Sequence, residues 1–150
     1  MGAAVRLRPA SARDARMLFE WRNDPDTRAH SLTSEPVAWD AHGAWLERVI
    51  ADPRRALYVA EDDLGPLGTA RLDEDPPPPV ISITIAPERR GEGLAAPLIA
   101  ALAELRGPPI VAIVKPCNER SMRAFERCGF RFAGEEGGAL RLVWDGREDG

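Results

Sequence analysis

The chain has 150 residues, 44% of them hydrophobic and 29% charged, and its formal net charge is −4. These values predict one folded domain spanning residues 1–150, and they exclude a disordered chain. The negative balance offers no basic field for nucleic acid or an anionic membrane, so neither partner is expected. Because the sequence shows no apolar leader, no membrane-length segment and only two cysteines, we expect a cytoplasmic protein without a disulfide framework or a metal site.

The periodicity of apolar residues, punctuated by proline and glycine, predicts a mixed α/β domain in the order β-α-α-β-β-β-α-β-α-β-β. The predicted strands are 5–8, 57–61, 67–72, 81–85, 108–114, 130–133 and 140–144. The predicted helices run from Ser11 to Asn23, from 37 to 50, from about Gly93 to 105 and from 118 to 128. The polar residues 23–36 are predicted as a loop, and loops of this length are often functional.

A glycine-rich segment separates the strand at 81–85 from the helix that follows it. Arg89 and Arg90 precede Gly91 and Gly93 in this segment. Glycine lets the main chain approach an anion closely, and the amides at a helix N-terminus point outward with the positive end of the helix dipole behind them. The segment therefore predicts a site for a phosphate-bearing ligand, with either arginine as a further source of charge or as a solvated surface residue.

Two other interpretations of the glycines compete with this one. The letters GEGLAA also satisfy the G-x-G-x-x-A fingerprint of dinucleotide-binding domains. That interpretation is disfavoured because little chain remains for further βαβ units, and because the next strand ends in Lys115 instead of an acidic residue that would bind a ribose. A tight turn with a purely structural role is the second alternative.

Two motifs carry a resemblance to a known family. Residues 90–95, RGEGLA, resemble the R-x-x-G-x-A pyrophosphate signature of the GNAT N-acetyltransferase superfamily. Residues 118–130, NERSMRAFERCGF, resemble its later motif, N-x-x-S/A-x-x-x-Y/F-x-x-x-G-F. The resemblance covers nearly the whole chain. It implies one GNAT domain with a mixed, mostly antiparallel sheet of about six to seven strands, splayed at the acetyl-CoA site and flanked by about four helices.

The resemblance also implies acetyl-CoA as the donor, coenzyme A as the product, and no metal. In the superfamily the pantetheine arm pairs with the main chain of the strand before the glycine loop, and the pyrophosphate lies on the loop. The cofactor-binding residues implied here are Ile83, Ile85, Arg89, Arg90, Gly91, Glu92, Gly93, Leu94, Ala95, Asn118 and Phe125. Asn118 and Ser121 also fit plain helix-capping roles at the start of the last helix.

The catalytic groups are less well defined by the resemblance. Phe125 stands where many members carry the tyrosine that protonates the departing thiolate, so Ser121, a water or unaided departure remains open. Direct attack by the acceptor amine is expected in preference to an acetyl-Cys117 intermediate, because no base partner for that cysteine is visible. The amine proton could pass to His42, His30, Asp73 or a water chain along Ser82 and Thr84. The expected catalytic residues are Asn118, Ser121 and His42.

The acceptor is indicated only by the N-terminal third. Residues 18–31 and 41–49 resemble a subgroup with W-R-N-x-x-x-x-R and a later H-x-x-W/F, whose members acetylate UDP-linked 4-amino sugars of nonulosonate biosynthesis. Ribosomal-protein N-terminal acetyltransferases have a similar opening. We therefore expect a monomer or homodimer that acts on a small-molecule amine, with a nucleotide-sugar favoured over a peptide and a catalytically weak coenzyme A sensor as the alternative of another class. The expected substrate contacts are Trp21, Arg22, Asn23, Arg28, His42 and Trp45.

Overall fold

The computed structural model describes residues 4–31 and 34–146, and these form seven strands and five helices. The strands are β1 (Arg6–Pro9), β2 (Arg55–Asp62), β3 (Gly65–Asp73), β4 (Val80–Ile85), β5 (Ile110–Val114), β6 (Arg131–Glu136) and β7 (Ala139–Trp144). The helices are α1 (Ala15–Asn23), α2 (Pro25–His30), α3 (Trp39–Ala51), α4 (Ala95–Arg106) and α5 (Glu119–Arg127), and short 3₁₀ turns occupy Ala12–Asp14 and Pro87–Arg89. Across these two ranges, no helix is long and apolar enough to cross a membrane.

All seven strands belong to one sheet, in the order β1-β2-β3-β4-β5-β7-β6, and only β4 and β5 run parallel. Helices α1 and α3 contribute Leu18, Trp21 and Leu46 to one buried cluster. Helices α4 and α5 contribute apolar residues such as Leu98 and Phe125 to a second, larger cluster. The expectation of a GNAT fold with a mixed, mostly antiparallel sheet is confirmed, with seven strands and with four helices of nine residues or more.

The sheet opens between β4 and β5. These strands pair at only two positions, Val80 with Val111 and Ile81 with Ala112, and separate beyond them. At the closed end, the Val111 amide donates to the Pro79 carbonyl at 2.8 Å. Alternate residues of a strand direct their main-chain groups to the same side. The main-chain groups of residues 83 and 85 therefore face the opening, which is the splay that the family resemblance implied.

Helix α2 stands where the sequence predicted a loop. The carboxylate of Asp24 caps it by accepting from the Thr27 amide at 3.1 Å. Pro25 occupies the first helical position, where its missing N–H costs least. None of the six residues in this helix is buried, so the apolar periodicity that reveals other helices is missing. Residues 32 and 33 of the predicted loop lie outside the described residues.

Three smaller predictions are corrected by backbone geometry. Helix α4 begins at Ala95 instead of Gly93, because Gly93 has a φ of +71° that no right-handed helix accommodates. The last hairpin is tighter than predicted, since β6 continues to Glu136 and only Gly137 and Gly138 form the turn, with φ of +57° and +83°. Strand β3 begins at Gly65 instead of residue 67, because Gly65 pairs with Asp62 and Pro66 with Glu61 on β2.

Candidate active site

The glycine loop presents free main-chain amides toward the opening. Gly91 and Gly93 have φ of +82° and +71°, a conformation that favours glycine. Within the described residues, no amide from 91 to 94 donates a hydrogen bond. The first amides of α4, which begins at Ala95, follow directly. This row of outward amides at a helix N-terminus suits a pyrophosphate.

Arg89 has its guanidinium buried beneath the loop, and 8% of the residue is exposed. Its Nη2 donates to Asp62 at 2.7 Å and its Nε to Glu92 at 3.0 Å. The hydrogen bonds to Asp62, then to Glu92, raise the pKa of Arg89, and the same contact with Arg89 lowers the pKa of Asp62. Both Arg89 and Glu92 were expected to bind the cofactor. Their side chains instead form an ion pair with each other, and Arg89 also binds Asp62 at the turn between β2 and β3.

Arg90 connects the same loop to α2. Its guanidinium pairs with Asp24 and donates to the Thr27 hydroxyl at 2.9 Å. That pairing lowers the pKa of Asp24. At the other end of α2, the Lys115 ammonium donates to the Ala29 carbonyl at 3.2 Å. Because Arg90 follows β4 and Lys115 follows β5, α2 bridges the two strands that separate at the site.

A cleft of about 930 Å³ occupies the opening between β4 and β5. The sequence-predicted residues that line it are Trp21, Arg22, His42, Trp45, Ile83, Ile85, Arg89, Arg90, Gly91, Gly93, Leu94, Ala95, Asn118, Ser121 and Phe125. The structure does not bring Asn23, Arg28 or Glu92 to the cleft lining. Two chemically different ends result, one beside the glycine loop and α5 and one beside α1, α3 and β3.

The cofactor end includes the N-terminus of α5. The Asn118 side-chain oxygen accepts from the Ser121 amide at 3.3 Å, which leaves the Asn118 amide hydrogens directed elsewhere. Phe125 is 3% exposed and packs on Phe130 with ring centroids 5.0 Å apart. Phe125 therefore serves as core on this side of the cleft and supplies no proton. Exposed arginines at intervals of three and four residues, Arg120, Arg123 and Arg127, line the same end.

The acceptor end is built around His42 and Trp45. His42 is 2% exposed, and neither ring nitrogen has a hydrogen-bond partner among the described residues. Its ring packs between Phe19 and Trp45, at centroid distances of 5.6 Å and 5.5 Å. Burial, and then the charge of Arg22, lowers the pKa of His42. The imidazole is therefore neutral near pH 7, and both of its nitrogens are buried at the wall of the cleft.

The three residues of the W-R-N segment, and the arginine five positions after it, have different roles in the structure. Trp21 is 4% exposed and belongs to the core. Asn23 clamps the chain after the predicted loop, because its side chain donates to the Val37 carbonyl at 2.7 Å and accepts from the Val37 amide at 2.8 Å. Arg28 donates from Nε to the Asn23 carbonyl at 3.2 Å. Of this segment, Arg22 is the member with a charge in the cleft lining.

Several candidate proton acceptors are occupied by other contacts. The Asp73 carboxylate accepts from Arg55 at 3.1 Å and from Arg71 at 3.2 Å. His30 is exposed, and its Nδ1 lies 3.1 Å from the Asp26 carbonyl oxygen. His42, Ser82 and Thr84 line the cleft, and His30 lines it as well. Cys117 is exposed and is not part of the lining, whereas Cys128 donates to the Ala96 carbonyl at 3.3 Å.

Sequence reasoning missed Arg71, Lys115 and the α5 arginines as parts of the site. Arg71 lies 5.8 Å from the centre of the Trp45 ring, and this contact depends on the packing of α3 on the sheet. The alternation in its strand indicates that the Arg71 side chain lies on one face of the sheet, but it does not indicate which face or which neighbour the side chain contacts. Lys115 contacts a residue 86 positions away, a separation at which sequence carries no local signal.

A family model described as an acetyltransferase (GNAT) domain matches residues 4–131. The comparison with curated proteins found no match. Among solved structures, AAC(6')-Ib in complex with ribostamycin and coenzyme A is 25% identical, with a TM-score of 0.82 over 98% of this chain and 99% of its own. Spermidine N-acetyltransferase from Vibrio cholerae, in complex with CoA and spermine, is 23% identical, with a TM-score of 0.79 over 93% of this chain and 92% of its own.

These structures carry the same fold over almost their full length, and the family model reaches from β1 to the start of β6. The compounds bound beside coenzyme A in these two structures are spermine and ribostamycin, so the expected likeness to enzymes of UDP-linked amino sugars gains no support from them. The chain belongs to the acetyltransferase (GNAT) domain family and is an acetyl-CoA-dependent N-acetyltransferase.

Proposed function

We propose that this enzyme transfers acetyl from acetyl-CoA to a small-molecule amine by direct attack, with both substrates in the cleft between β4 and β5. The observation that carries the proposal is the junction of the open strand edge with the free amides of residues 91–94. The pyrophosphate would lie on these amides, and the pantetheine arm would pair with the main chain of Ile83 and Ile85. Asn118 would donate its amide hydrogens to that arm.

In the proposed step, the amine nitrogen attacks the thioester carbon. A nitrogen–carbon bond forms, the carbon–sulfur bond breaks, and its electron pair leaves with sulfur. The free amide near Ile85 would stabilise the negative charge that develops on the carbonyl oxygen. The amine must lose one proton, and the departing thiolate must gain one or leave as the anion.

His42 is the proposed acceptor of the amine proton. It lines the acceptor end, its nitrogens have no partner in the described ranges, and its lowered pKa keeps the imidazole neutral near pH 7. Ser121 is the proposed donor to the thiolate, because Phe125 has no hydroxyl and Ser121 lines the same end of the cleft. The Asp73 carboxylate, in contrast, already forms ion pairs with Arg55 and Arg71.

A nucleotide-linked amino sugar remains our leading acceptor candidate. Support comes from Arg22, which could pair with a phosphate, and from Trp45, which could stack on a ring, both on the cleft lining. A peptide N-terminus is the alternative. The enzymes with which the fold was compared bind spermine and ribostamycin, which makes polyamines and aminoglycosides necessary members of any acceptor panel.

The test is coenzyme A release from acetyl-CoA with a panel of UDP-amino sugars, peptides, spermidine and an aminoglycoside, with products identified by mass. Cys117→Ser is the matched control and should keep full activity, because Cys117 lies outside the cleft lining. Turnover that disappears in Cys117→Ser would overturn direct attack. Tight coenzyme A binding with no turnover across the panel would instead favour the sensor alternative.

A further inference from the structure

We infer that the acceptor carries an oxyanion, a carboxylate or a phosphate, on the same molecule as its amine, and that Arg71 is the residue that selects it. This inference rests on the proposed acetyl transfer and narrows its substrate class. It does not depend on whether the oxyanion belongs to a nucleotide, a sugar phosphate or an amino acid.

The charges that line the cleft are strongly unbalanced. Of the described residues on its surface, seven are arginines and one, Asp26, is acidic. Asp26 lies 3.6 Å from Arg90 and so belongs to the contact between α2 and the glycine loop. At the acceptor end, Arg22 and Arg71 line the cleft beside His42, and no acidic residue of the described lining accompanies them there. Because Arg89 and Arg90 already pair with carboxylates, the positive charge at the acceptor end comes from Arg22 and Arg71.

Arg71 is only half neutralised by its ion pair. Its Nε donates to Asp73 at 3.2 Å, while the same carboxylate accepts from Arg55 at 3.1 Å. One carboxylate is thus shared between two guanidiniums. The guanidinium of Arg71 also lies over the Trp45 ring, 5.8 Å from the ring centre. A guanidinium held in this way can offer its remaining N–H groups to a carboxylate or phosphate.

Arg22 reinforces the same field from α1. Burial lowers the pKa of Arg22, and the positive charges of Arg28 and Arg71 lower it further. An oxyanion at this end of the cleft would be attracted by Arg22 and Arg71 together. Arg22 lies on α1 and Arg71 on β3, and both line the cleft together with His42.

The arginines at the acceptor end disfavour polycationic acceptors, such as the compounds bound in the two similar structures. Spermine and ribostamycin carry several amines that are protonated near pH 7, and acidic groups would attract such polycations. Here the described lining of the acceptor end offers arginines instead. Repulsion of extra ammonium groups and attraction of an oxyanion act in the same direction, so selection against polyamines is expected to be strong.

The experiment compares kcat/KM for matched amines at one saturating acetyl-CoA concentration. Ethanolamine and O-phosphoethanolamine differ by a phosphate, propylamine and β-alanine differ by a carboxylate, and spermidine adds charge of the opposite sign. We expect the anionic member of at least one pair to be preferred by about tenfold or more. The pair that shows the preference identifies whether phosphate or carboxylate is the natural anion.

Arg71→Gln should abolish that preference, and Arg71→Lys should restore part of it. Arg54→Gln is the matched control, since Arg54 forms exposed ion pairs with Asp52 and Asp75 and is not on the cleft lining. Preference for spermidine or for the neutral amines, or an unchanged preference in Arg71→Gln, would overturn the inference while leaving acetyl transfer intact.

If no amine in the set is acetylated, the inference is tested by calorimetry, which measures the binding of O-phosphoethanolamine and β-alanine to the complex of the protein with coenzyme A. Binding that is lost in Arg71→Gln and kept in Arg54→Gln supports the inference although the proposed transfer has failed. No binding of either compound, or equal binding by both variants, contradicts it.

Discussion

The guanidinium of Arg89 donates to the carboxylate of Asp62 at 2.7 Å and ties the start of the glycine loop to the turn between β2 and β3. This contact spans 27 positions of sequence and lies under the amides that we propose for the pyrophosphate. The arginine therefore acts through the shape of the loop, and its charge is already compensated by Asp62 and Glu92.

Arg89→Ala should weaken acetyl-CoA binding by about tenfold, because the loop loses the contact that holds its amides in one arrangement. Calorimetry with acetyl-CoA measures the change. Arg6→Ala is the control, since Arg6 makes an exposed ion pair with the neighbouring Asp63 at 3.2 Å. Such exposed pairs contribute little, so this variant should bind acetyl-CoA like the parent. Equal binding by Arg89→Ala would contradict the assigned role.

Gly68 of β3 lies against the backbone of β4, where a Cβ atom on residue 68 would overlap the Thr84 carbonyl oxygen. Gly68→Ala should therefore push β4 outward and destabilise the fold by roughly 1–3 kcal/mol. Gly43→Ala in α3 is the matched control, with nothing within 4 Å of the added atom. It should stabilise the protein by about 0.5–1 kcal/mol through helix propensity. Denaturant unfolding measures both, and similar stabilities for the two variants would count against the close approach.

Asn118 can be tested for a cofactor role separately from its capping role. Asn118→Asp keeps an oxygen that can accept from the Ser121 amide, but it loses the side-chain N–H donors. We expect unchanged thermal stability and acetyl-CoA binding weakened by about tenfold. Asn118→Ala should show the same weakening together with a loss of about 1 kcal/mol in stability. Full affinity in Asn118→Asp would reduce Asn118 to a helix cap.

His42 predicts a pH dependence with a defined sign. Because burial lowers its pKa in the folded state, the unfolded chain binds more protons at acidic pH. The free energy of unfolding should therefore fall as pH drops below about 6.5, the ordinary histidine value, and His42 should contribute no slope above it. His42→Phe should remove this part of the slope, as followed by denaturant unfolding at several pH values. A slope that His42→Phe leaves unchanged would show that the titration belongs to other groups.

The catalytic role of His42 needs a second variant. His42→Gln can still form hydrogen bonds but cannot take the amine proton, so kcat should fall by about 10²-fold. The loss should shrink at alkaline pH, where more of the free amine is already neutral. A variant that loses acceptor affinity while retaining kcat would show that His42 only lines the pocket.

The cofactor end of the site was largely predictable from sequence, for a local reason. Gly91 and Gly93 are needed where φ is positive, and Asn118 stands at the start of α5, so each motif specifies its own short segment of backbone. The order of strands and helices was predictable on the same basis, except for α2, which was predicted as a loop. The splay of β4 from β5 came from the family resemblance, since alternation in a strand does not say where pairing ends.

The acceptor end was less predictable, because its contacts join distant segments. The charge of Arg90 was visible in sequence, but its partner Thr27 lies 63 positions away on a helix without buried residues. Asn23 belongs to a suggestive motif and yet holds the main chain of Val37. Arg71 gains its place through the packing of Trp45. Tertiary contacts, and not local propensity, determine these roles.

The central claim is that acetyl passes directly from acetyl-CoA to an amine held in the cleft. A rapid-quench single turnover, with the intact protein and the small-molecule products followed together by mass spectrometry, tests it most directly. The prediction is that acetyl leaves coenzyme A and appears on the acceptor at the same rate, while the protein mass never changes. Transient gain of one acetyl group by the protein, at the rate at which acetyl-CoA disappears, would contradict it.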